Sequence, residues 1–148
     1  MGQGEGRPPG LLKEYKGSHI VVTWEPAYCI HTENCLRTAP EVFDRKQRPW
    51  IRVEAADAER IVQTVLKCPS GALHFRRVDG GAPEPVPTET TVEPQANGPL
   101  FVRGNLTFFD VNGEVIRKET RAALCRCGQS SNKPFCDGTH ETVGFQAP

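Results

Sequence analysis

Apolar positions in the first eighty residues recur in two different periods. The segments 19–26, 48–53 and 71–78 are rich in branched and aromatic residues and predict three strands. From 56 to 66 the apolar residues instead recur every three or four positions, which predicts a helix. A shorter helix, interrupted near Pro40, is predicted over 36–43. Together these elements predict a small α+β module.

The second half of the chain has a different pattern. Asn112-Gly113 lies between two strand-like segments and predicts a hairpin with a type I′ turn. Before it, residues 79–96 are rich in Pro, Gly, Thr and Glu and predict a solvated linker. The linker divides the chain into modules at 18–78 and 97–146. Modules this small are rarely stable without an additional cross-link such as a bound metal.

Charge and cysteine content limit the classes of function that the chain can have. Lys plus Arg and Asp plus Glu number 18 each, so the net charge is zero, which argues against a nucleic-acid partner. No apolar segment approaches the roughly 20 residues needed to span a bilayer, so a membrane role is not expected. The N-terminus does not resemble a signal peptide, and we expect a cytoplasmic protein. The six cysteines are then better interpreted as metal ligands than as disulfides.

The first group of thiols follows a modified ferredoxin pattern. Bacterial ferredoxins use C-x2-C-x2-C-x3-C-P, and here Cys29 and Cys35 keep two positions while Thr32 replaces the cysteine between them. Cys68, followed by proline, supplies a third thiol. Three thiolates predict a [3Fe-4S] cluster, or a [4Fe-4S] cluster if a residue such as His31 holds the fourth iron. His31 could instead donate a hydrogen bond to a sulfide, and Thr32 is expected to be a hydrogen-bonding neighbour.

The segments CIHTENCLRTAPEVFD, RPWI and CPSGALHF resemble the divergent single-cluster ferredoxin family. The resemblance covers residues 18–78. It implies a ferredoxin-like fold that wraps one cubane-type cluster near the protein surface.

The second group comprises Cys125, Cys127, Cys136 and His140. These residues could hold zinc in a Cys3His tetrahedron or a [2Fe-2S] cluster with two ligands on each iron. A neutral imidazole in place of a thiolate would raise the reduction potential. The residues expected to support the ligands, through hydrogen bonds, a tight turn or a compensating charge, are Arg126, Ser130, Lys133 and Asp137.

The segment CRCGQSSNKPFCDGTH is similar to the CDGSH iron–sulfur family, also called NEET proteins. The resemblance covers residues 97–146 and favours [2Fe-2S] over zinc. It implies that Cys125 and Cys127 hold an inner iron, while Cys136 and His140 hold an outer, more exposed one. It also implies that the module can form homodimers.

Two different clusters on one chain predict one-electron transfer between redox partner proteins, or cluster storage and transfer to apo-acceptor proteins. A redox or iron sensor that responds through cluster loss is an alternative, and a zinc-stabilised interaction module is another. An enzyme is not expected, because the sequence has neither a phosphate-binding glycine motif nor a nucleophile set separate from the metal motifs.

Overall fold

A computed structural model describes residues 12–148, which form six strands and three short α-helices. In chain order the elements are β1 (Lys13–Lys16), β2 (Ile20–Trp24), α1 (Asn34–Thr38), α2 (Ala58–Val65), β3 (Leu73–Arg77), β4 (Thr91–Pro94), β5 (Leu100–Phe109), β6 (Val115–Leu124) and α3 (Thr139–Thr142). Within residues 12–148, no helix has the length and apolar character needed to cross a membrane. The α+β class predicted from the sequence is confirmed.

The first module is an antiparallel sheet in the order β1-β2-β3, packed against α2. The central strand β2 is buried from Ile20 to Val22, and Val22 lies opposite Phe75 of β3. Asp57 begins α2 by accepting a hydrogen bond from the Arg60 amide at 2.9 Å. The predicted helix at 56–66 and the strands at 19–26 and 71–78 are therefore present with slightly shorter bounds.

Three elements of this module differ from expectation. The strand predicted at 48–53 is wrong, since the segment makes only an isolated bridge between Phe43 and Ile51; Pro49 has no amide hydrogen to continue a ladder. The helix predicted at 36–43 begins earlier, at Asn34, and ends at Thr38, so the predicted interruption near Pro40 is its end. The edge strand β1 was not predicted, because its sequence KEYK is charged and mostly exposed, and it forms by pairing with β2.

The second module is an antiparallel sheet in the order β4-β5-β6. The hairpin between β5 and β6 lies where Asn112-Gly113 predicted it, but the type I′ turn is wrong. That turn needs positive φ at both central residues, whereas only Gly113, with φ of 84°, has it in this segment. The carbonyl of Asp110 accepts from the Gly113 amide, and its carboxylate accepts from the Asn112 and Glu114 amides.

The predicted linker of 79–96 is not free of structure. Its residues Thr91–Pro94 form β4, which pairs with β5. Glu84 is anchored to the first module, because its carboxylate accepts a hydrogen bond from the Phe75 amide of β3 at 3.1 Å. The segment therefore runs along the protein surface and holds the two modules together.

Apolar residues from both modules form a shared core. Tyr28 and Ala72 of the first module pack with Ala122 and Phe135 of the second, and the rings of Tyr28 and Phe135 have centroids 5.2 Å apart. Gly71 allows this close approach. A Cβ there would lie 2.4 Å from the Arg121 carbonyl oxygen, and its φ of 76° also disfavours other residues.

A network of charged side chains crosses the same interface. His74 donates to Glu84 from Nδ1 at 2.7 Å and to Glu119 from Nε2 at 2.8 Å. Burial lowers the pKa of His74, but the hydrogen bonds and charges of Glu119 and Glu84 outweigh it and raise that pKa to about 9. A protonated His74 therefore joins two arginines, Arg117 and Arg121, in balancing the carboxylates.

The stability of the folded chain should decrease as pH rises through about 9. The pKa of His74 is raised above its usual value of 6.5, so its contribution is full below that value and is lost as the ring deprotonates in the folded state. A shift of this size corresponds to up to about 3 kcal/mol of unfolding free energy. Urea denaturation at several pH values should show the decrease, and His74→Gln should reduce it. An equal decrease in both proteins would assign it to other groups, such as the thiols.

Candidate metal centres

Three local structures bring the first group of thiols together. Cys29 follows a 3-10 turn at Pro26–Tyr28, Cys35 lies in the first turn of α1, and Cys68 follows the end of α2. All three line one cavity, together with His31 and Thr32. The sequence-predicted ligands of the first site are thus neighbours in space, although Cys68 is more than thirty residues from Cys35 in the chain.

Burial and neighbouring thiols oppose the ionisation of Cys29 and Cys35. Burial and the charges of Cys68 and Cys29 together raise the pKa of Cys35 to about 11. Burial also raises the pKa of Cys29, although hydrogen bonds from the His31 amide and the Trp24 side chain oppose the effect. Thiolates that burial and mutual repulsion disfavour are stabilised when a cation binds them. The chemistry of this donor set therefore fits an iron–sulfur group.

Trp50 adds a further donor to the same cavity. Its indole Nε1 is buried and has no hydrogen-bond partner among residues 12–148. The ring packs edge-on against Trp24, with centroids 4.8 Å apart, and both indoles line the cavity with the cysteines. A buried N–H without an acceptor fits a bound cluster whose sulfides can accept its hydrogen bond.

His31 and Thr32 occupy a tight loop between Cys29 and α1. His31 and Glu33 have φ values of 60° and 63°, in the left-handed region. The Nδ1 of His31 lies 3.8 Å from Cys29 Sγ, and the residue is exposed. The Thr32 hydroxyl accepts from the Asn34 amide at 3.5 Å, a long hydrogen bond at the start of α1. His31 is therefore placed beside the thiols.

The second group of ligands is arranged as two pairs. Cys125 Sγ lies 3.8 Å from Cys127 Sγ, and Cys136 Sγ lies 3.4 Å from His140 Nδ1. Cys125 and Cys127 follow β6, whereas Cys136 precedes the turn that opens α3 and His140 lies in α3. Among residues 12–148, no group of three or more such side chains meets the geometry of a single metal ion.

Backbone amides point at the sulfur atoms of this group. Gly128 donates to Cys125 Sγ at 3.3 Å, Gln129 to Cys127 Sγ at 3.4 Å and Gly138 to Cys136 Sγ at 3.3 Å. Such hydrogen bonds stabilise thiolates. Burial raises the pKa of Cys125, but the amides of Ser130, Gly128 and Cys127 more than compensate and lower it.

The pKa of Cys136 moves in the opposite direction. Burial, together with the charges of Asp137, Cys125 and Cys127, raises it to about 11 despite the Gly138 amide. Such a thiol becomes a good ligand when a metal cation replaces its proton.

Asp137 organises the loop around Cys136. Its Oδ2 accepts from the amide and hydroxyl of Ser131, and its Oδ1 accepts from the amide and hydroxyl of Thr139. Burial opposes ionisation, but these four bonds lower the pKa of Asp137 to about 2. Asp137 therefore joins the loop before Cys136 to the turn that carries His140.

The other expected supporting residues contact backbone rather than sulfur. The Ser130 hydroxyl donates to the Phe135 carbonyl at 2.6 Å. Arg126 was expected to offset ligand charge or to face a partner. Its guanidinium instead donates to the carbonyls of Gly98 at 2.8 Å, Gln95 at 2.6 Å and Pro148 at 3.2 Å. Lys133 is exposed at the edge of a groove that also includes Cys125.

Cys136 is the least exposed ligand of the second group, although the resemblance implies that it holds the outer iron. It is 4% exposed, whereas Cys125, Cys127 and His140 are partly exposed. Ile30 lies between Cys29 and His31 in the first module and is buried in one apolar cluster with Ala123 and Cys136. The ligand loop of the first site therefore shares a buried cluster with a ligand of the second.

Each group of candidate ligands lies within a segment that matches a known family. The family described as divergent 4Fe-4S mono-cluster matches residues 15–78, and the iron-binding zinc finger family of CDGSH type matches residues 97–141. The protein named uncharacterized YjdI, from Escherichia coli K12 and from O157:H7, is 39% identical over 67 residues. The match covers 45% of this chain and 88% of each relative.

This chain belongs to the divergent 4Fe-4S mono-cluster family. It carries, in addition, a domain of the CDGSH type. Both domains are iron–sulfur binding domains, so the chain is an iron–sulfur protein. The YjdI relatives match its N-terminal region.

Several residues at these sites gave no signal in the sequence. Ile30 is an ordinary apolar residue between two candidate ligands, and Arg121 is one of several arginines in β6 and its surroundings. Their roles depend on contacts between the two modules. The tryptophan in the segment RPWI was visible as part of the resemblance, but its unpaired N–H was not.

Proposed function

We propose that this protein carries single electrons between redox partner proteins, with one iron–sulfur cluster held by each module. Iron–sulfur clusters supply one-electron chemistry when bound, with potentials set by ligands, hydrogen bonds and solvent exposure. The observation that carries the proposal is the buried cluster that Ile30 forms with Ala123 and Cys136. Because this cluster joins the two ligand loops, we infer that the two sites act as one relay rather than separately.

The residues of the first module fit a [4Fe-4S] cluster. Cys29, Cys35 and Cys68 would supply three thiolates, and His31, which lines the same cavity, is the candidate for the fourth position. The indole N–H groups of Trp24 and Trp50 would lie within reach of sulfur. A [3Fe-4S] cluster would leave His31 unligated, and EPR of the oxidised protein distinguishes the two.

The residues of the second module fit a [2Fe-2S] cluster. The pairs Cys125 with Cys127 and Cys136 with His140 match a cluster in which each iron takes two protein ligands. The Nδ1 atom of His140 faces Cys136, so we infer that Nδ1 is the ligating nitrogen. Burial of Cys136 together with Ile30 favours retention of the cluster and hence electron transfer over cluster delivery.

Reversible reduction tests this proposal against cluster transfer. Anaerobically purified protein should accept electrons from dithionite, return them to an oxidant, and keep its iron and sulfide through repeated cycles. When it is mixed with an apo-ferredoxin, little iron should move. Iron that passes to the acceptor, with loss of visible absorbance from the donor, would instead support cluster delivery.

Ile30→Ala tests whether Ile30 protects the second site. A smaller side chain beside Cys136 should make iron loss from that site to a chelator several-fold faster, since burial limits access to the metal ligands. Val62→Ala, a similar truncation on α2 of the first module, is the matched control and should leave that rate unchanged. Equal rates in wild type and Ile30→Ala would show that Ile30 does not protect the site.

A further inference from the structure

Arg121 is the most deeply buried charged residue among positions 12–148. It lies on β6 of the second module and is 2% exposed, yet its guanidinium reaches into the first module. A buried cation is costly unless it is paired and fully hydrogen-bonded. Its partners therefore indicate what the residue does.

The guanidinium joins three backbone segments of the first module. Its Nη1 donates to the carbonyl of Val65 at 2.9 Å and to that of Cys68 at 2.6 Å, while its Nη2 donates to the carbonyl of Leu73 at 2.8 Å. These oxygens belong to the end of α2, the cysteine loop and the start of β3. The C-terminal carbonyls of a helix lack intrahelical partners, and here a side chain from the other module supplies the donors.

The positive charge of Arg121 is balanced by a carboxylate and not by a cysteine thiolate. Glu84 accepts from Nη2 at 3.0 Å and also from the protonated His74, so the two cations share one carboxylate oxygen. Glu119 accepts from His74 on its other side. Because the carboxylates balance the positive charges, the other N–H groups of the guanidinium are available to donate to the carbonyls around Cys68.

We propose that Arg121 is a positioning residue for Cys68, so that the second module completes the metal site of the first. The proposal rests on the proposed function, in which Cys68 ligates the first cluster. The first site then depends on a residue outside its own module, and the two modules form one metal-binding unit. Loss of Arg121 should loosen the Cys68 loop while leaving Cys29 and Cys35 in place.

Iron release from each site tests this role. Wild type, Arg121→Gln, Arg121→Lys and Arg117→Gln are purified anaerobically with their clusters, and each is exposed to a ferrous chelator. The signals of the two sites are followed separately by EPR and visible absorbance. Arg117→Gln is the matched control, because Arg117 lies in the same interface and bonds Glu25, Glu119 and the Gly71 carbonyl but not Cys68.

We expect Arg121→Gln to release first-site iron about tenfold faster than wild type, the equivalent of one charge-assisted hydrogen bond. Arg121→Lys keeps the charge but presents its donors from one nitrogen instead of the separate Nη1 and Nη2, so it should be intermediate. Where the Arg121→Gln protein retains its first cluster, the midpoint potential of that cluster should be lower than in wild type, since a buried positive charge is lost. Arg117→Gln should release first-site iron at the wild-type rate.

Several outcomes would overturn the proposal. Wild-type release rates in both Arg121 variants would do so, and so would equal acceleration by Arg117→Gln, which would point to the interface in general. If Arg121→Gln does not fold, the comparison of Arg121→Lys with wild type decides, and equal rates reject the role. If wild type holds no cluster at the first site, the proposed function fails. Iodoacetamide alkylation of Cys68 relative to Cys125 then still tests Arg121, and an unchanged ratio in its variants rejects the role.

Discussion

Cys68→Ala is expected to abolish the iron–sulfur signal of the first site and to leave that of the second. The cavity that Cys68 shares with Cys29 and Cys35 would keep only two thiols, which is too few to hold a cluster of three or four irons. The ligands of the second site lie on other segments, after β6 and in α3. Iron and sulfide per chain should therefore fall by the share of one cluster.

The reciprocal variant, Cys136→Ala, is the control for this experiment. It should remove the second signal, because a pair that places one sulfur beside His140 is broken. Its effect on the first site should be limited to the loss of packing against Ile30. A single variant that removes both signals would contradict two separate clusters, as would a Cys68→Ala protein with its full complement of iron.

Glu119→Gln is expected to cause the largest loss of stability among single substitutions at the module interface. The Glu119 side chain is 3% exposed and accepts from His74 Nε2 at 2.8 Å and from Arg117 Nη2 at 2.6 Å. An amide retains the shape but removes the charge, so the partly buried His74 and Arg117 lose a carboxylate. Breaking a buried ion pair in this way costs about 3–5 kcal/mol, against a total stability of roughly 5–15 kcal/mol for an ordinary domain.

Chemical denaturation of the full chain measures this loss. The matched control is Glu59→Gln, since Glu59 also pairs with an arginine, at 2.9 Å from Arg77, but its side chain is 72% exposed. The control should change the denaturation midpoint little, because exposed pairs contribute little. Similar midpoints for the two variants would show that the interface network does not stabilise the folded chain.

Helices and strands could be predicted where the spacing of apolar residues and the residue at the start of the element indicate the same structure. The helix α2 shows both signals, with apolar residues at helical spacing and Asp57 at its start. The edge strand β1 shows neither, because pairing with β2 rather than burial orders it. The strand expected around Pro49 failed for the opposite reason, since apolar residues there fill the core without a ladder partner.

The close pairs of cysteines were also predictable, because their spacing is a local property of the chain. Cys68, more than thirty residues from Cys35, was instead placed by the proline that follows it. The surroundings of these ligands were not predictable. The sequence does not indicate that Ile30 is buried with Cys136, that Arg121 bonds the Cys68 carbonyl, or that Glu84 of the predicted linker pairs with His74. These contacts join residues that are distant in the chain, and they arise only when the two modules pack.

The central claim is that each group of thiols binds iron together with inorganic sulfide, and metal and sulfide analysis of anaerobically purified protein tests it most directly. With both sites full, the account predicts about six sulfides and about five or six irons per chain, depending on whether the first cluster has three irons or four. The protein should be red-brown. A colourless protein that contains only zinc, or iron without acid-labile sulfide, would contradict the account.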